Sequence, residues 1–378
     1  MAVPKDTIWP IEPHTSAKHQ ILRKYLDAWL PILGTYNPRV VYVDGFAGPG
    51  QYTGGEPGSP IVALQAALTH EAKLPGELVF LFIEKDKARA DHLTGEIAKL
   101  PLTSAFKVQV ERGEFADKLG AMLDGLDKTS SQIAPTFALI DPFGFSGIPY
   151  ALIQRLLSKN KCEVLVTVMV DSINRWLEHP QETIKAHIVE TFGTDESIRI
   201  AEGNGDRVTE LKNLYHRQLN NAARFVRYFE MRDHEGRLVY YLFFASNNPL
   251  GHLKMKEAMW KVDPLGEYSF SDSTDPNQTL LFDLEPSMDP LATTMTTKFC
   301  SSGQLPVKRV ETYVQDETAY LRKHMGEALQ QLEANGKLKV AENKTDGKKR
   351  RAKSFPNEAL ITFLRSPAGT SSARRYLG

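Results

Sequence analysis

With 378 residues, the chain is long enough for one large and one small folded domain, and its 46 basic and 46 acidic residues cancel, so any affinity for nucleic acid must come from a local patch. No stretch reaches the roughly 18 apolar residues that a membrane-spanning helix needs, and the N-terminus has no signal-peptide pattern, which predicts a cytoplasmic protein without a membrane segment. The two cysteines, Cys162 and Cys300, lie far apart and outside any Cys-x-x-Cys motif, so the sequence predicts neither a metal site nor a disulfide framework.

The first half of the chain alternates helical and β-rich patterns. An amphipathic helix follows Thr15, because apolar residues recur at three-to-four spacing between Ile21 and Trp29. The alternation predicts right-handed crossovers and a parallel sheet that is buried on both faces. The five strands of this sheet are predicted at residues 40–43, 78–83, 106–110, 136–140 and 164–170.

Two further β-rich segments predict an antiparallel hairpin. They span residues 223–232 and 237–245, and Asp233-His234-Glu235-Gly236 between them has the composition of a turn. Five parallel strands followed by such a hairpin predict an α/β fold with the Rossmann-like, seven-stranded sheet of methyltransferases. A nicotinamide-dependent dehydrogenase, the alternative, would continue with parallel units.

The composition changes beyond the hairpin and predicts a second domain. Residues 263–290 turn to Pro, Asp, Ser and Asn and are predicted to form a linker. Helical patterns at 304–315 and 317–335, followed by 337–340 and a basic turn, fit the helix, helix and wing of a winged-helix domain. The predicted organisation is a methyltransferase-like domain at 1–262, the linker, a winged-helix-like domain at 291–365 and a tail at 366–378.

The end of the first predicted strand carries one part of a cofactor site. Its glycine-rich turn lets the backbone approach a ligand closely at the carboxyl edge of the sheet. No Gly-Lys-Ser/Thr follows, which excludes the usual phosphate loop. An acid before the glycines is placed to meet the cationic amino group in the methionine part of S-adenosylmethionine. The predicted contacts are Asp44, Gly45, Phe46, Gly48 and Gly50.

Acidic residues also end the second and third predicted strands. Glu84 can accept hydrogen bonds from two ribose hydroxyls, while Glu114 and Phe115 can meet the edge and the face of an adenine ring. Either glutamate could alternatively cap the helix that follows it. Together with Asp44, these acids at successive strand ends predict one nucleoside pocket for S-adenosylmethionine.

The fourth predicted strand ends in Asp141-Pro142-Phe143-Gly144-Phe145, at the position that faces the reactive methyl group in this fold. Asp141 can accept a hydrogen bond from an exocyclic amine, and Phe143 or Phe145 can stack on a flat base. Enzymes that methylate the amines of adenine or cytosine use a similar Asp/Asn-Pro-Pro-Tyr/Phe element, but here the second proline is missing and the aromatic residue is displaced. Asp141, Phe143 and Phe145 are the predicted catalytic residues.

Four sequence motifs are specific in combination: Lys18-His19-x-Ile21-Leu22-x-x-Tyr25-Leu26, Val43-Asp44-Gly45-Phe46-Ala47-Gly48-Pro49-Gly50, Phe137-Ala138-Leu139-Ile140-Asp141-Pro142-Phe143-Gly144 and Met255-Lys256-x-Ala258-Met259-Trp260. Together they resemble the three-Cys-motif partner proteins of bacteria, over most of residues 15–365. Proteins of that family are methyltransferase-like and are encoded beside a radical S-adenosylmethionine enzyme with a three-cysteine iron–sulfur motif. The resemblance therefore implies such an enzyme as a partner.

The function predicted from these patterns is S-adenosylmethionine-dependent methylation of a nucleic-acid base amine, because methyl transfer needs mainly alignment and the site has no obvious nucleophile. The alternative is a catalytically inactive scaffold that binds nucleic acid or the radical enzyme, which the imperfect Asp141 element favours. A basic cluster at the wing can contact the phosphates of DNA or RNA, although a solvated hairpin tip would look the same. The cluster consists of Lys344, Lys348, Lys349, Arg350, Arg351 and Lys353.

Overall fold

The computed structural model describes residues 4–70, 76–129, 132–263, 269–271 and 287–364, which form two compact units. The first unit comprises the described residues up to Asp263 together with 269–271, and the second comprises 287–364. The predicted tail at 366–378 and most of the predicted linker, at 264–268 and 272–286, lie outside the described residues.

A mostly parallel sheet forms the centre of the first unit. Its strands are β1 (Arg39–Asp44), β2 (Glu77–Glu84), β3 (Phe106–Arg112), β4 (Thr136–Ile140), β5 (Cys162–Val168), β6 (Phe225–Arg232), β7 (Leu238–Ser246) and β8 (Ser269–Ser271). In space they follow the order β3-β2-β1-β4-β5-β7-β6-β8. Strands β1 to β5 are parallel, and β7 runs antiparallel to both of its neighbours. This order confirms the predicted methyltransferase-like α/β sheet with its hairpin.

The number of strands is eight and not the predicted seven, because a short strand extends the sheet beyond the hairpin. β8 pairs in parallel with β6 over Glu230 to Arg232, and it lies within the predicted linker. Without β8, β6 would present a row of unpaired backbone donors and acceptors at the sheet edge. Three residues are too few to show the alternation from which strands are predicted, so the prediction is wrong by this one strand.

Helices cover both faces of the sheet. Successive strand residues point to opposite faces, and in β4 Phe137 contacts the first helix while Ala138 belongs to the core cluster on the other face. The first helix begins at Pro13, slightly before the predicted Thr15, and packs with the second and tenth helices. In the described part of the first unit the helices are α1 (Pro13–Tyr36), α2 (Ser59–Leu68), α3 (Lys87–Ala98), α4 (Phe115–Lys128), α5 (Tyr150–Leu157), α6 (Val170–Trp176), α7 (Glu182–Phe192), α8 (Glu196–Arg199), α9 (Arg207–Ala222) and α10 (Pro249–Val262).

Buried contacts fix α1 on its face of the sheet. The Tyr25 hydroxyl donates to the Glu163 carboxylate of β5, and Ser246 Oγ donates to the same carboxylate at 2.6 Å. The Tyr25 ring also lies 4.9 Å from the Phe137 ring. Burial raises the pKa of Glu163, against the opposing effect of its hydrogen-bond donors. Because an α-helix turns every 3.6 residues, the fixed position of Tyr25 places Lys18, two turns earlier, on the same face.

The second unit has the arrangement of a winged helix, as predicted. Its elements are α11 (Asp289–Phe299), β9 (Leu305–Pro306), α12 (Val307–Glu317), α13 (Arg322–Ala334), β10 (Leu338–Val340) and β11 (Leu360–Phe363). β11 pairs antiparallel with both β9 and β10, so the wing is the connection between β10 and β11. Helix α11 lies ahead of the first predicted helix and reaches into the predicted linker. Side chains from the three helices and the small sheet form a core of their own.

Replacing Tyr25 by Phe is expected to lower the free energy of unfolding by about 1–3 kcal/mol, because the ring remains but the buried Glu163 carboxylate loses a hydrogen bond. Chemical denaturation of the full chain measures this difference. Tyr36→Phe is the matched control on the same helix, at a side chain that is 84% exposed, and is expected to change nothing. Equal stabilities of the two variants would contradict the anchoring role of Tyr25.

Candidate functional site

The carboxyl ends of β1 to β4 meet at a cavity of about 710 Å³. Ligands of open α/β sheets bind at this edge, and the volume falls within the range of roughly 300–1,000 Å³ that small-molecule sites span. Six of the predicted site residues lie on the cavity wall: Gly45, Phe46, Glu84, Glu114, Phe115 and Phe143.

The turn after β1 requires its glycines for two different reasons. A Cβ atom at Gly45 would lie 2.4 Å from the Phe115 ring, so any side chain there would push the turn away from α4. Gly48 and Gly50 have φ angles of +65° and +81°, in the left-handed region that favours glycine. The Phe46 ring lies 5.5 Å from the Phe115 ring. The turn is therefore packed closely against an aromatic wall of the cavity.

Glu84 and Glu114 both line the cavity, and neither caps a helix through its side chain. The Glu84 carboxylate accepts hydrogen bonds from the backbone N–H groups of Gly48 and Asp86, each at 2.8 Å. Asp86, and not Glu84, is the residue whose side chain caps α3. Glu114 stands at the N-cap position of α4 without a capping bond and pairs with Lys85. Glu84 thus ties the glycine turn to the end of β2.

Asp44 lies beneath the cavity and not on its wall. Its carboxylate is fully buried and accepts a hydrogen bond from the backbone N–H of Phe46 at 3.3 Å, with the Tyr42 hydroxyl at 3.5 Å. Burial raises the pKa of Asp44 to about 7. Asp44 therefore supports the glycine turn from below, and this arrangement does not bring it to the position of the predicted direct contact with a cofactor amino group.

A smaller chamber of about 220 Å³ adjoins the first cavity, and the two share a wall that includes Pro142 and Phe143. The chamber is rich in aromatic rings, and the edge of one ring meets the face of another where Trp9 lies 5.3 Å from Phe143. Such a lining suits a flat, partly polar ring. The chamber residues are Pro4, Trp9, Pro10, Glu12, Thr15, Lys18, Tyr52, Asp141, Pro142, Phe143, Met169 and Tyr240.

An ion pair between a buried lysine and a partly buried aspartate forms the polar side of this chamber. Lys18 Nζ of α1 bonds Asp141 Oδ2 at the end of β4, and their side chains are 5% and 23% exposed. Burial would raise the pKa of Asp141, but the charge of Lys18 and its hydrogen bond outweigh this effect, so the pKa of Asp141 lies below its ordinary value. Sequence reasoning missed Lys18 as a site residue. The available signal was a lysine on the buried face of an amphipathic helix.

The two predicted aromatic residues after β4 point in different directions. Phe143 stands on the wall that the two cavities share. Phe145 is partly buried against the core cluster, and its carbonyl accepts a hydrogen bond from Thr191 Oγ1 at 2.6 Å. The structure therefore brings Asp141 and Phe143 together at the chamber, whereas Phe145 lines neither cavity and its predicted role in stacking on a base stays a prediction.

The N-terminal segment 4–12 contributes to both cavities, which the sequence did not predict. Arg89 of α3 donates to the carbonyls of Pro4 at 2.5 Å and Asp6 at 3.4 Å. The Arg89 guanidinium lies 4.9 Å from the Trp9 ring, and the Trp9 carbonyl accepts a hydrogen bond from the Thr53 N–H at 3.0 Å. These contacts hold Trp9 over the chamber. A segment without helical or strand periodicity offers no pattern from which this position could be predicted.

The predicted basic cluster divides into paired and exposed residues. Arg350 donates to Glu333 of α13 at 2.6 Å, lies 5.3 Å from the Phe355 ring and is 11% exposed, so it attaches the wing to its own domain. Lys344 pairs with Asp346 at 3.0 Å. The remaining members are exposed and form no ion pair with any residue that the structure describes: Lys348, Lys349, Arg351 and Lys353.

Within the described ranges, no three or more His, Cys, Asp or Glu side chains are grouped so that they could hold a metal ion. In the same ranges, no helix combines the length and apolar character needed to cross a membrane.

The C-terminal part of the chain matches a known domain family. Residues 269–345 match the family model of the GMT-like wHTH domain. No curated protein matches the chain. Together with the strand order of the first unit, this match defines the class of the protein as a methyltransferase-like α/β fold with a C-terminal winged helix-turn-helix domain.

Several solved structures are similar to this chain at low identity. Protein LPL1258 from Legionella pneumophila is 14% identical, with 68% of this chain and 92% of that chain covered and a TM-score of 0.41. Human methyltransferase-like protein 13, in complex with SAH, is 11% identical, with 70% and 97% covered and a TM-score of 0.36. The O-methyltransferase from Bacillus cereus, also in complex with SAH, is 12% identical, with 65% and 93% covered and a TM-score of 0.33. Similarity at this level carries no argument about what this chain binds.

Asp44→Asn is expected to remove a pH dependence of stability between about pH 4 and pH 7. The folded-state pKa of Asp44, about 7, lies above the unfolded value near 4, so the folded state binds more protons in this window and wild-type stability falls as the pH rises. The difference amounts to about 4 kcal/mol at most. Urea denaturation of both proteins at pH 5 and pH 8 measures it, with Asp91→Asn on the exposed side of α3 as control. Parallel stability profiles of wild type and Asp44→Asn would contradict the prediction.

Proposed function

We propose that the chain is an S-adenosylmethionine-dependent methyltransferase whose acceptor is the amine of a nucleic-acid base. The observation that carries this proposal is the pair of adjoining cavities at the carboxyl ends of β1 to β4, which share the wall of Pro142 and Phe143. The larger cavity suits a nucleoside cofactor, and the smaller one presents aromatic rings beside Asp141. Adjoining cavities can hold two reactants in line where they meet, and such alignment can lower the activation barrier by about 7–11 kcal/mol.

The residues of the larger cavity fit S-adenosylmethionine. The Glu84 carboxylate has acceptor capacity left for ribose hydroxyls after its two backbone bonds, and Glu114 stands at the next strand end. Phe46 and Phe115 provide an aromatic wall for the adenine ring. When bound, the cofactor supplies a methyl group on its sulfonium sulfur, whose bond to carbon breaks as the acceptor nitrogen binds the methyl group, leaving S-adenosylhomocysteine and one proton.

Asp141 is the residue that receives the acceptor amine in this proposal. Its carboxylate opens on the chamber, and its lowered pKa keeps it ionised at neutral pH. An ionised carboxylate accepts a hydrogen bond from the amine, takes the proton that the methylated nitrogen loses and passes it to solvent. Phe143 and Trp9 line the same chamber, and either ring offers a face on which a base can stack. The enzyme therefore acts mainly by alignment.

The winged helix-turn-helix domain supports a nucleic acid as the molecule that carries the acceptor. Its wing presents Lys348, Lys349, Arg351 and Lys353 to solvent, and such clusters bind phosphates. The chain as a whole has no net charge, so this local patch is the feature that favours nucleic acid.

A catalytically inactive scaffold is the second candidate, favoured by the departure of Asp141-Pro142-Phe143-Gly144 from the usual amino-methylating element. Its partner would be the radical S-adenosylmethionine three-Cys-motif enzyme that the sequence resemblance implies. Tritium transfer from labelled cofactor to bulk tRNA, rRNA or DNA, with and without that enzyme, separates the two. Transfer supports the methyltransferase, and cofactor binding without any transfer supports the scaffold.

Glu84→Gln is expected to weaken S-adenosylmethionine binding about 10- to 100-fold, because a charged hydrogen-bond acceptor contributes about 1.5–3 kcal/mol. Calorimetric titration of the full chain measures the affinity. Glu77→Gln, at the opposite end of the same strand, is the control and should bind as wild type does. If wild type binds no S-adenosylmethionine, or if both variants bind equally, the cofactor assignment fails.

Replacing Lys348, Lys349, Arg351 and Lys353 by Ser is expected to flatten the salt dependence of nucleic-acid binding. Each phosphate contact with duplex DNA adds about 0.9 to the slope of log affinity against log salt, so four contacts correspond to a change of roughly 3 to 4. Fluorescence anisotropy over a series of salt concentrations measures the slope. A control variant carries Ser at four exposed lysines of the first unit, which are Lys24, Lys87, Lys107 and Lys128. If the slope is unchanged in the wing variant, the cluster does not contact phosphates and is only the solvated tip of a hairpin.

A further inference from the structure

The buried Lys18 ammonium has more hydrogen-bond donors than the described residues around it have acceptors for. It has three hydrogens, and its one hydrogen-bond acceptor within the described residues is Asp141. The Tyr240 ring lies 5.2 Å from Lys18 Nζ, and the face of this ring attracts the charge but does not accept a conventional hydrogen bond. Burying an ammonium is costly unless its donors are satisfied, and this side chain is 5% exposed. The unmet donors belong to a residue that lines the chamber.

We propose that Lys18 donates a hydrogen bond to the ring nitrogen next to the acceptor amine, while Asp141 accepts from the amine itself. This inference rests on the function proposed above and specifies its acceptor. The ligand chemistry is an amidine edge, which is an amine on a ring carbon beside a ring nitrogen with a free lone pair. Adenine presents this edge through N6 and N1, and cytosine presents it through N4 and N3.

The ion pair and the amidine edge are complementary in the arrangement of their donors and acceptors as well as in charge. Lys18 and Asp141 form a donor and an acceptor side by side, and an amidine edge presents an acceptor and a donor side by side. Trp9 and Phe143 line the same chamber as Lys18 and Asp141, so a base that stacks on either ring lies beside this donor and acceptor. A base whose neighbouring ring position carries hydrogen would direct that hydrogen at the ammonium. The proton released on methylation leaves through Asp141, and Lys18 only donates a hydrogen bond.

Single-atom changes in the base test this contact without altering the protein. Oligonucleotides carry one adenine or 1-deazaadenine, and a second pair carries cytosine or 3-deazacytosine, so that each analogue replaces the ring nitrogen by C–H. Binding to the full chain is measured by fluorescence anisotropy in the presence of S-adenosylhomocysteine, and methyl transfer is measured in parallel. For the base that is the natural acceptor, the deaza analogue is expected to bind about 10- to 100-fold more weakly. The pair that responds identifies adenine or cytosine.

Protein variants then assign the effect to Lys18. In Lys18→Met the natural base and its analogue are expected to bind equally, whereas Lys24→Met, on the exposed side of the same helix, should keep the full discrimination. Thermal unfolding checks that both variants fold. If Lys18→Met is unstable, the same comparison is made with Lys18→Gln, and a wild type that does not discriminate overturns the proposal without any variant.

Three outcomes would overturn the assignment. If wild type binds each deaza analogue as tightly as the natural base, it forms no bond to the ring nitrogen. If Lys18→Met still binds the analogue more weakly than the natural base, the bond comes from another residue. A loss of S-adenosylhomocysteine affinity in Lys18→Met, measured by calorimetry, would place the ion pair at the methionine end of the cofactor instead. Failure of the proposed function itself looks different, because wild type would then neither bind the cofactor nor methylate any nucleic acid.

Discussion

The partly buried ion pair between Lys18 and Asp141 is the contact on which the candidate site depends, because it joins the first helix to the end of the fourth strand across 123 residues of sequence. Removing an ammonium and a carboxylate from water costs several kcal/mol per ion, and their attraction offsets this only in good geometry. The apolar packing of α1 and the bond from Tyr25 to Glu163 hold the helix in the register that the pair needs. The fold thus maintains the pair, and a charged group kept in this way is typical of a functional site.

The acids at the strand ends divide into two kinds. Glu84 holds the turn through the N–H of Gly48 and still opens on the cavity, while Asp44 is sealed beneath the same turn. Both carboxylates therefore accept hydrogen bonds from the backbone of the glycine turn, which fixes the conformation of the turn at the cavity. Pre-organisation of this kind lowers the conformational cost of binding. It also explains how a turn with two residues in the left-handed region remains closely packed against Phe115.

Charge in the winged helix-turn-helix domain is divided between structure and surface in a similar way. Arg350 bonds Glu333 and contacts the Phe355 ring, which attaches the wing to α13. Its exposed neighbours keep their charge available to solvent. The number of basic residues in such a run is therefore an upper limit on the number of phosphates that it can contact. Here one member, Arg350, is needed to hold the wing in place.

The sequence by itself determined the alternation of strands and helices, the closing hairpin, the winged helix and the edge of the sheet where the cavity lies, because the periodicity of apolar residues reports burial directly and parallel strands end at one edge. Tertiary structure alone decided which side chains meet there. Phe143 and Phe145 are indistinguishable by pattern, yet Phe143 lines both cavities, whereas Phe145 lines neither and packs partly buried against the core cluster. Lys18 and Trp9 reach the chamber from segments distant in sequence, and β8 is too short to show an alternation. Contacts of this kind depend on the packing of remote elements, for which local pattern carries no information.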